Sequence, residues 1–177
     1  MEWGDSLSLS WKSYLIRGEG VTEFDEYIAS HFRRANEAEP GVIFNPWKSG
    51  AYPRWGMPAL IASKVAALQG REQWRRFHLA VMKAFYTESR DISSPRVLEE
   101  IGREAGLDME AFTGRMSDAQ FETLVYEETR HAQEQYGISS IPALVIQNSF
   151  LVEGAVPLSR YQQVLNEVKS ADSAAHS

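Results

Sequence analysis

Tyr136-Gly137-Ile138-Ser139-Ser140-Ile141-Pro142-Ala143-Leu144-Val145-Ile146, followed by Phe150-Leu151-Val152-Glu153-Gly154-Ala155, is the stretch on which the fold turns. Ala143, Leu144, Val145 and Ile146 make a short, wholly apolar run, the signature of a buried strand. Phe150, Leu151 and Val152 make a second one, with Gln147-Asn148 as the tight turn between them. Pro142 stands at the head of the first strand, where its missing N–H removes one ladder bond. Two conformations accommodate it: a cis Ile141–Pro142 peptide in a tight bend, or a trans proline on an edge strand. The cis form leaves the backbone of Ile141 free to pair with an incoming extended chain.

The pattern changes period on both sides of this hairpin. Downstream, Pro157 opens a helix whose inner stripe is Tyr161, Val164, Leu165 and Val168, and residues 170–177 form a small, polar, frayed tail. Upstream, residues 48–136 read as a glycine- and aromatic-rich loop over 48–58 and then a helical block. Its stripes are Leu60, Ile61, Val65 and Leu68; then Trp74, Phe77, His78, Val81 and Phe85 over 71–88; then Val97, Leu98, Ile101 and Ala105. Ser94-Pro95 supplies a cap and a first-turn proline, and Gly106 a C-terminal stop. Asp108 caps a short helix holding Met109 and Phe112. Ser117 or Asp118 caps a long one holding Phe121, Leu124, Val125, Glu128 and Ala132, and Gly137 ends it. Further upstream, Thr22 caps a helix to about Ala35 with Phe24, Ile28 and Phe32 inward, after a break at Arg17-Gly18-Glu19-Gly20. Residues 41–47 form an extended connector. Residues 7–16 alternate as a strand, with Leu7, Leu9, Trp11, Ser13 and Leu15 on one face. Strand, helix, helical block, hairpin and closing helix make an α/β plan with a helical insertion. Three strands are few for 177 residues.

Composition excludes several chemistries. The chain contains no cysteine, so it offers no disulfide, thiolate metal site, iron–sulfur cluster or protein thiol nucleophile. Its net charge of −6 and scattered basic residues argue against a nucleic-acid surface, and Arg33-Arg34 and Arg75-Arg76 read as solvated faces. No stretch approaches the roughly 20 apolar residues of a membrane span. Met1-Glu2-Trp3-Gly4-Asp5 lacks the basic and apolar regions of a secretory signal, which makes the cytoplasm the expected location.

Other constellations read as structural. Glu128 and His131 form a Glu-x-x-His pair, but a di-iron site needs a second pair and further inward acids, which the stripes do not supply. His78 reads as a core or boundary histidine, and His31 and His176 as exposed. Trp47, Tyr52, Trp55 and Met57 cluster ahead of the helical block; packing is preferred over a substrate groove. There is no Gly-x-Ser-x-Gly elbow and no glycine-rich phosphate loop.

Gly137, Ile138, Ile141, Pro142, Gly154, Ala155 and Pro157 stand where the DsbA family has a Gly-Val-x-x-Val-Pro run, a hairpin ending in Gly-Ala and a last helix. The chain resembles that thioredoxin-like family. Its helical block (Ala59-Leu60 to Gln69-Gly70, Phe77-His78 to Phe85, Val97-Leu98 to Asp108) is similar to that of the FrnE-like branch and the 2-hydroxychromene-2-carboxylate isomerases. The resemblance implies a thioredoxin-like fold divided as 1–47, part of the thioredoxin-like half; 48–136, the helical insertion; and 137–177, the hairpin and helix. It implies dithiol–disulfide exchange on a thiol or disulfide peptide, or on a glutathione-like small molecule, with Ile141 and Pro142 presenting backbone to the substrate. The family's first strand and first helix, with its Cys-x-x-Cys, have no counterpart here. That implies a late start to the reading frame, or a naturally shortened, non-catalytic relative. No catalytic residue, metal ligand or cofactor is assigned. Two alternatives stay open: a glutathione-dependent isomerase or transferase of the same fold, and an interaction module that exposes a sheet edge and forms a homo-oligomer.

Overall fold

The computed structural model describes residues 7–16, 24–38, 41, 43–47 and 52–175. Its elements run α1 (Glu26–Ala38), α2 (Met57–Ala67), α3 (Arg71–Tyr86), α4 (Pro95–Glu104), α5 (Met109–Thr113), α6 (Ala119–Tyr136), β1 (Ala143–Ile146), β2 (Phe150–Glu153) and α7 (Leu158–Ala175). The chain packs as two compact units, Met1–Tyr126 and Glu127–Ser177, with the boundary inside α6. This is a mixed α/β chain with a helical insertion, as the sequence pattern implies.

The first unit is built on α2 to α5. Pro58 sits in the first turn of α2, where its missing N–H costs nothing. The buried face of α2 differs from the expected stripe. Ala59, Ala62, Val65 and Ala66 are buried, while Leu68 is 57% exposed. Small side chains let neighbouring helices approach closely, so the alanine face wins over the leucine one. Phe77 of α3 and Phe112 of α5 meet at 5.4 Å in the middle of the cluster, with Leu98 and Ile101 of α4 beside them. Gly106, at φ +75°, reverses the chain after α4, and the Leu107 amide donates to the Gly102 carbonyl. Gln69 ties the end of α2 to the start of α5: its amide donates to the Asp108 carbonyl (2.9 Å) and accepts from the Asp108 N–H (2.8 Å). The Asp108 carboxylate caps α5 through the Ala111 amide, as expected.

Several sequence expectations shift. Residues 7–16 form no strand. A strand is defined by a ladder, and among the described residues this segment pairs with no other strand. Ser13 is buried, while Leu7, Leu9 and Trp11 are exposed. The first helix begins at Glu26 with Asp25 as its cap, whose Oδ1 accepts from the Ile28 amide at 2.9 Å; Thr22 and residues 17–20 lie outside the described residues. Ile28 and Phe32 are buried as expected. The third helix stops at Tyr86 rather than 88. The connector at 43–47 reaches its C-terminal end, where the Asn45 amide donates to the Tyr86 carbonyl and the Asn45 side chain to the Thr87 carbonyl. Ser94 occupies the cap position of α4 without a side-chain cap bond, and Asp91 organises the turn instead by accepting from the Ser93 amide. Leu124 is exposed, and Thr129 is buried.

The second unit is a hairpin with a helix. β1 and β2 pair antiparallel, Ala143 opposite Glu153 and Ile146 opposite Phe150, which makes a three-residue connection rather than two. Gln147 (φ +50°) and Asn148 (φ +56°) carry the left-handed turn. Val152 of β2 packs on Val164 and Val168 of α7, with Leu144, Ile146, Val156 and Tyr161 around them. The last helix runs on to Ala175, so residues 170–175 are helical rather than frayed; His176 lies outside the described residues.

Candidate functional site

The segment between α6 and β1 carries the sequence-assigned binding residues. Gly137, at φ +66°, turns the chain out of α6, and the Ile138 amide donates back to the Ala132 carbonyl. Ile138 is buried and anchors the segment; Ser139, Ser140 and Pro142 are exposed, and Ile141 is 43% exposed. The Ile141–Pro142 peptide is cis. After it, the Gly154 amide donates to the Pro142 carbonyl at 2.7 Å. Before it, Glu153 takes hold: its Oε1 accepts from the amides of Ser139 (2.7 Å) and Ser140 (2.6 Å) and from the Ser139 hydroxyl (3.2 Å). These hydrogen bonds, first those from the Ser139 and Ser140 backbone, hold the Glu153 carboxyl below its usual pKa. Sequence reasoning quoted Glu153 without giving it a role. The strand register that sets it opposite Ala143, one residue past Pro142, is what reveals the contact.

The first unit holds a cleft of about 850 Å³, lined by residues 9–16 together with side chains of α1, α2 and α3. Trp11 lies 5.8 Å from Trp74 and 5.7 Å from His78, and Trp74 and His78 stack at 5.0 Å. Burial holds His78 below its ordinary pKa of 6.5, which keeps the imidazole neutral at pH 7. Trp74 donates its indole N–H to Ser63. Lys12, Arg54, Lys64 and Arg71 also line the cleft, and among the described residues no carboxylate does. The aromatic cluster expected at 47–57 divides. Trp47 and Met57 are buried as packing, while Tyr52 and Trp55 are half-buried and line the cleft.

The histidines take unremarkable places. His31 is exposed, with Nδ1 2.8 Å from the Tyr27 carbonyl. His131 is exposed and meets the Tyr136 ring edge-on at 5.5 Å. Among the described residues no three His, Cys, Asp or Glu side chains converge as metal ligands.

A model of the DSBA-like thioredoxin domain matches residues 5–166. The chain belongs to this family. It is also similar to solved structures. One is a proposed protein disulfide isomerase from Nitrosomonas europaea, 18% identical, with 88% of this chain and 80% of that one covered at a TM-score of 0.74. The cytosolic disulfide reductase DsbM from Pseudomonas aeruginosa is 19% identical, with 81% and 73% covered at 0.61. DsbM solved with GSH matches at 18% identity, the same coverage and the same TM-score. These likenesses are likenesses of fold. Within the DSBA-like frame, the 177 residues carry no cysteine, and so supply no protein thiol for disulfide exchange. Among the described residues, no helix is long and apolar enough to cross a membrane.

Proposed function

We propose that this DSBA-like chain keeps the substrate-binding parts of a thiol–disulfide oxidoreductase and performs no exchange with its own residues. One observation carries the reading: a match to the DSBA-like domain over residues 5–166 in a chain without a single cysteine. Ile141 and Pro142 present backbone to a thiol- or disulfide-bearing peptide, or to a glutathione-like molecule. The exposure of both residues supports this, as does the anchoring of the backbone on either side of them. Residues 1–47 and 137–177 supply the thioredoxin-like parts, and residues 48–136 the helical insertion that tunes specificity. The cytoplasm is the expected compartment, and the cytosolic DsbM, of the same fold, supports it.

Reduction of insulin disulfides by the purified chain, with a thiol reductant present, tests the reading. The expected rate equals that of reductant alone; a robust acceleration overturns it. The DsbM structure with GSH favours a second reading, in which a glutathione-dependent isomerase or transferase borrows the ligand's own thiol. Calorimetric titration with reduced glutathione discriminates. Saturable heat supports the second reading, and flat heat removes it.

A further inference from the structure

The backbone that reaches Ile141 has little packing to define it. Of the residues from Ser139 to Pro142, all are exposed, and Ile138 is the nearest buried anchor. Two consecutive amides, those of Ser139 and Ser140, point instead at one oxygen of Glu153. Successive N–H groups converging on an anion form a nest, and an ionised acceptor makes each bond stronger than a neutral one would. The next residue, Gly154, just past the end of β2, donates to the Pro142 carbonyl. Two neighbouring residues, the last of β2 and the one after it, therefore grip the segment before and after Ile141.

We propose that Glu153 is the positioning residue for the Ile141–Pro142 segment: its carboxylate binds the amides of Ser139 and Ser140 and so fixes the path of the backbone offered to a thiol-bearing ligand. The proposal rests on the reading that this segment contacts the ligand, and it adds the group that sets the segment's geometry. The largest influences on this carboxylate are its bonds from the Ser139 and Ser140 amides, and across the ladder Glu153 faces Ala143. Its titration therefore reports first on the two serine amides.

The test uses the whole chain, labelled for amide NMR, with reduced glutathione as the probe. Between pH 6 and pH 3 the Ser139 and Ser140 amide protons should move upfield together, with one midpoint below 4.5, the ordinary value for this carboxyl. Glu153→Gln should abolish that movement while leaving the rest of the spectrum in place. At pH 7, Glu153→Ala should weaken glutathione binding by about tenfold or more, and Glu153→Gln, which retains an acceptor oxygen, by less. Amides that do not titrate overturn the proposal, as does wild-type affinity in the folded Glu153→Ala variant. If the unaltered chain binds no glutathione, the ligand reading falls for that probe, and the amide titration alone then decides whether Glu153 holds the segment.

Discussion

Among the described residues, thirteen close into one buried cluster around α2 to α5, whereas only three valines are buried together behind the β1–β2 hairpin. The first unit is fixed by interlocked side chains, and each large one lost there leaves a void. The second is fixed by a short ladder and a few directed hydrogen bonds, among them those of Glu153 and Gly154 around Ile141–Pro142. Rigid packing and the hydrogen-bonded backbone around Ile141–Pro142 thus belong to different parts of the chain. Elements that must meet a ligand are commonly drawn from the less stable end of a fold.

The sharpest attempt to break this contrast removes a ring from the deep core. Phe112 is fully buried against Phe77. Phe112→Ala should cost about 3–5 kcal/mol, by loss of apolar burial and by the cavity left behind. Chemical denaturation checks it. A cost under about 1 kcal/mol would mean that the helical cluster collapses around the void, and that its depth is not what holds it.

A smaller effect is expected in the shallow core. Val164→Ala removes two methyl-sized groups from beneath Val152 and should cost roughly 1–2 kcal/mol. Hydrogen exchange locates the loss. Amides of β1 and β2 should exchange faster, while those of α2 to α4 keep their protection. Equal acceleration in both would mean the two units open as one, and the contrast would be one of composition only.

How much of this was legible in the sequence follows the same division. The hairpin, its proline and the closing helix could be read because each carries a local signal: an apolar run, a turn, a first-turn proline. The helices of the insertion were legible from their stripes and caps, Asp108 most directly. The choice of buried face on α2 was not, because Leu60 and Leu68 satisfy hydrophobic periodicity as well as Ala59, Ala62 and Ala66 do; only the neighbouring helices decide between them. Residues 7–16 show the reverse failure. Alternation over most of the segment predicts a strand, but alternation does not supply a ladder partner. Ile141 and Pro142 were assigned from the motif. Glu153 was not, because its contact depends on register across the hairpin, and a sequence does not print register.

The polar surface of the helical unit offers a weaker handle. Arg90, with 23% of its side chain exposed, reaches Glu100 and Glu104 of α4 and also Glu88. Arg90→Ala should cost about 1 kcal/mol, more than an isolated surface pair, since three carboxylates lose a shared partner. Thermal melts at low and high salt check this. The cost should shrink as salt rises, and a salt-independent cost would assign the effect to packing of the arginine stem.

Acid separates the two units by pH window. His78, in the first unit, is held below 6.5 by burial, so the unfolded chain takes up a proton there before the folded one does. Stability must then fall as pH drops below 6.5 towards the lowered value, and level off beneath it. Glu153, in the second unit, is held below 4.5 by its amide bonds; its contribution is intact above 4.5 and is lost only as pH falls further. Melting temperatures measured from pH 7.5 to pH 5 should therefore decline in the unaltered chain and decline less in His78→Gln, while Glu153→Gln keeps the full slope. If His78→Gln retains the slope as well, the imidazole stacked on Trp74 is not what acid attacks first, and another group carries the slope.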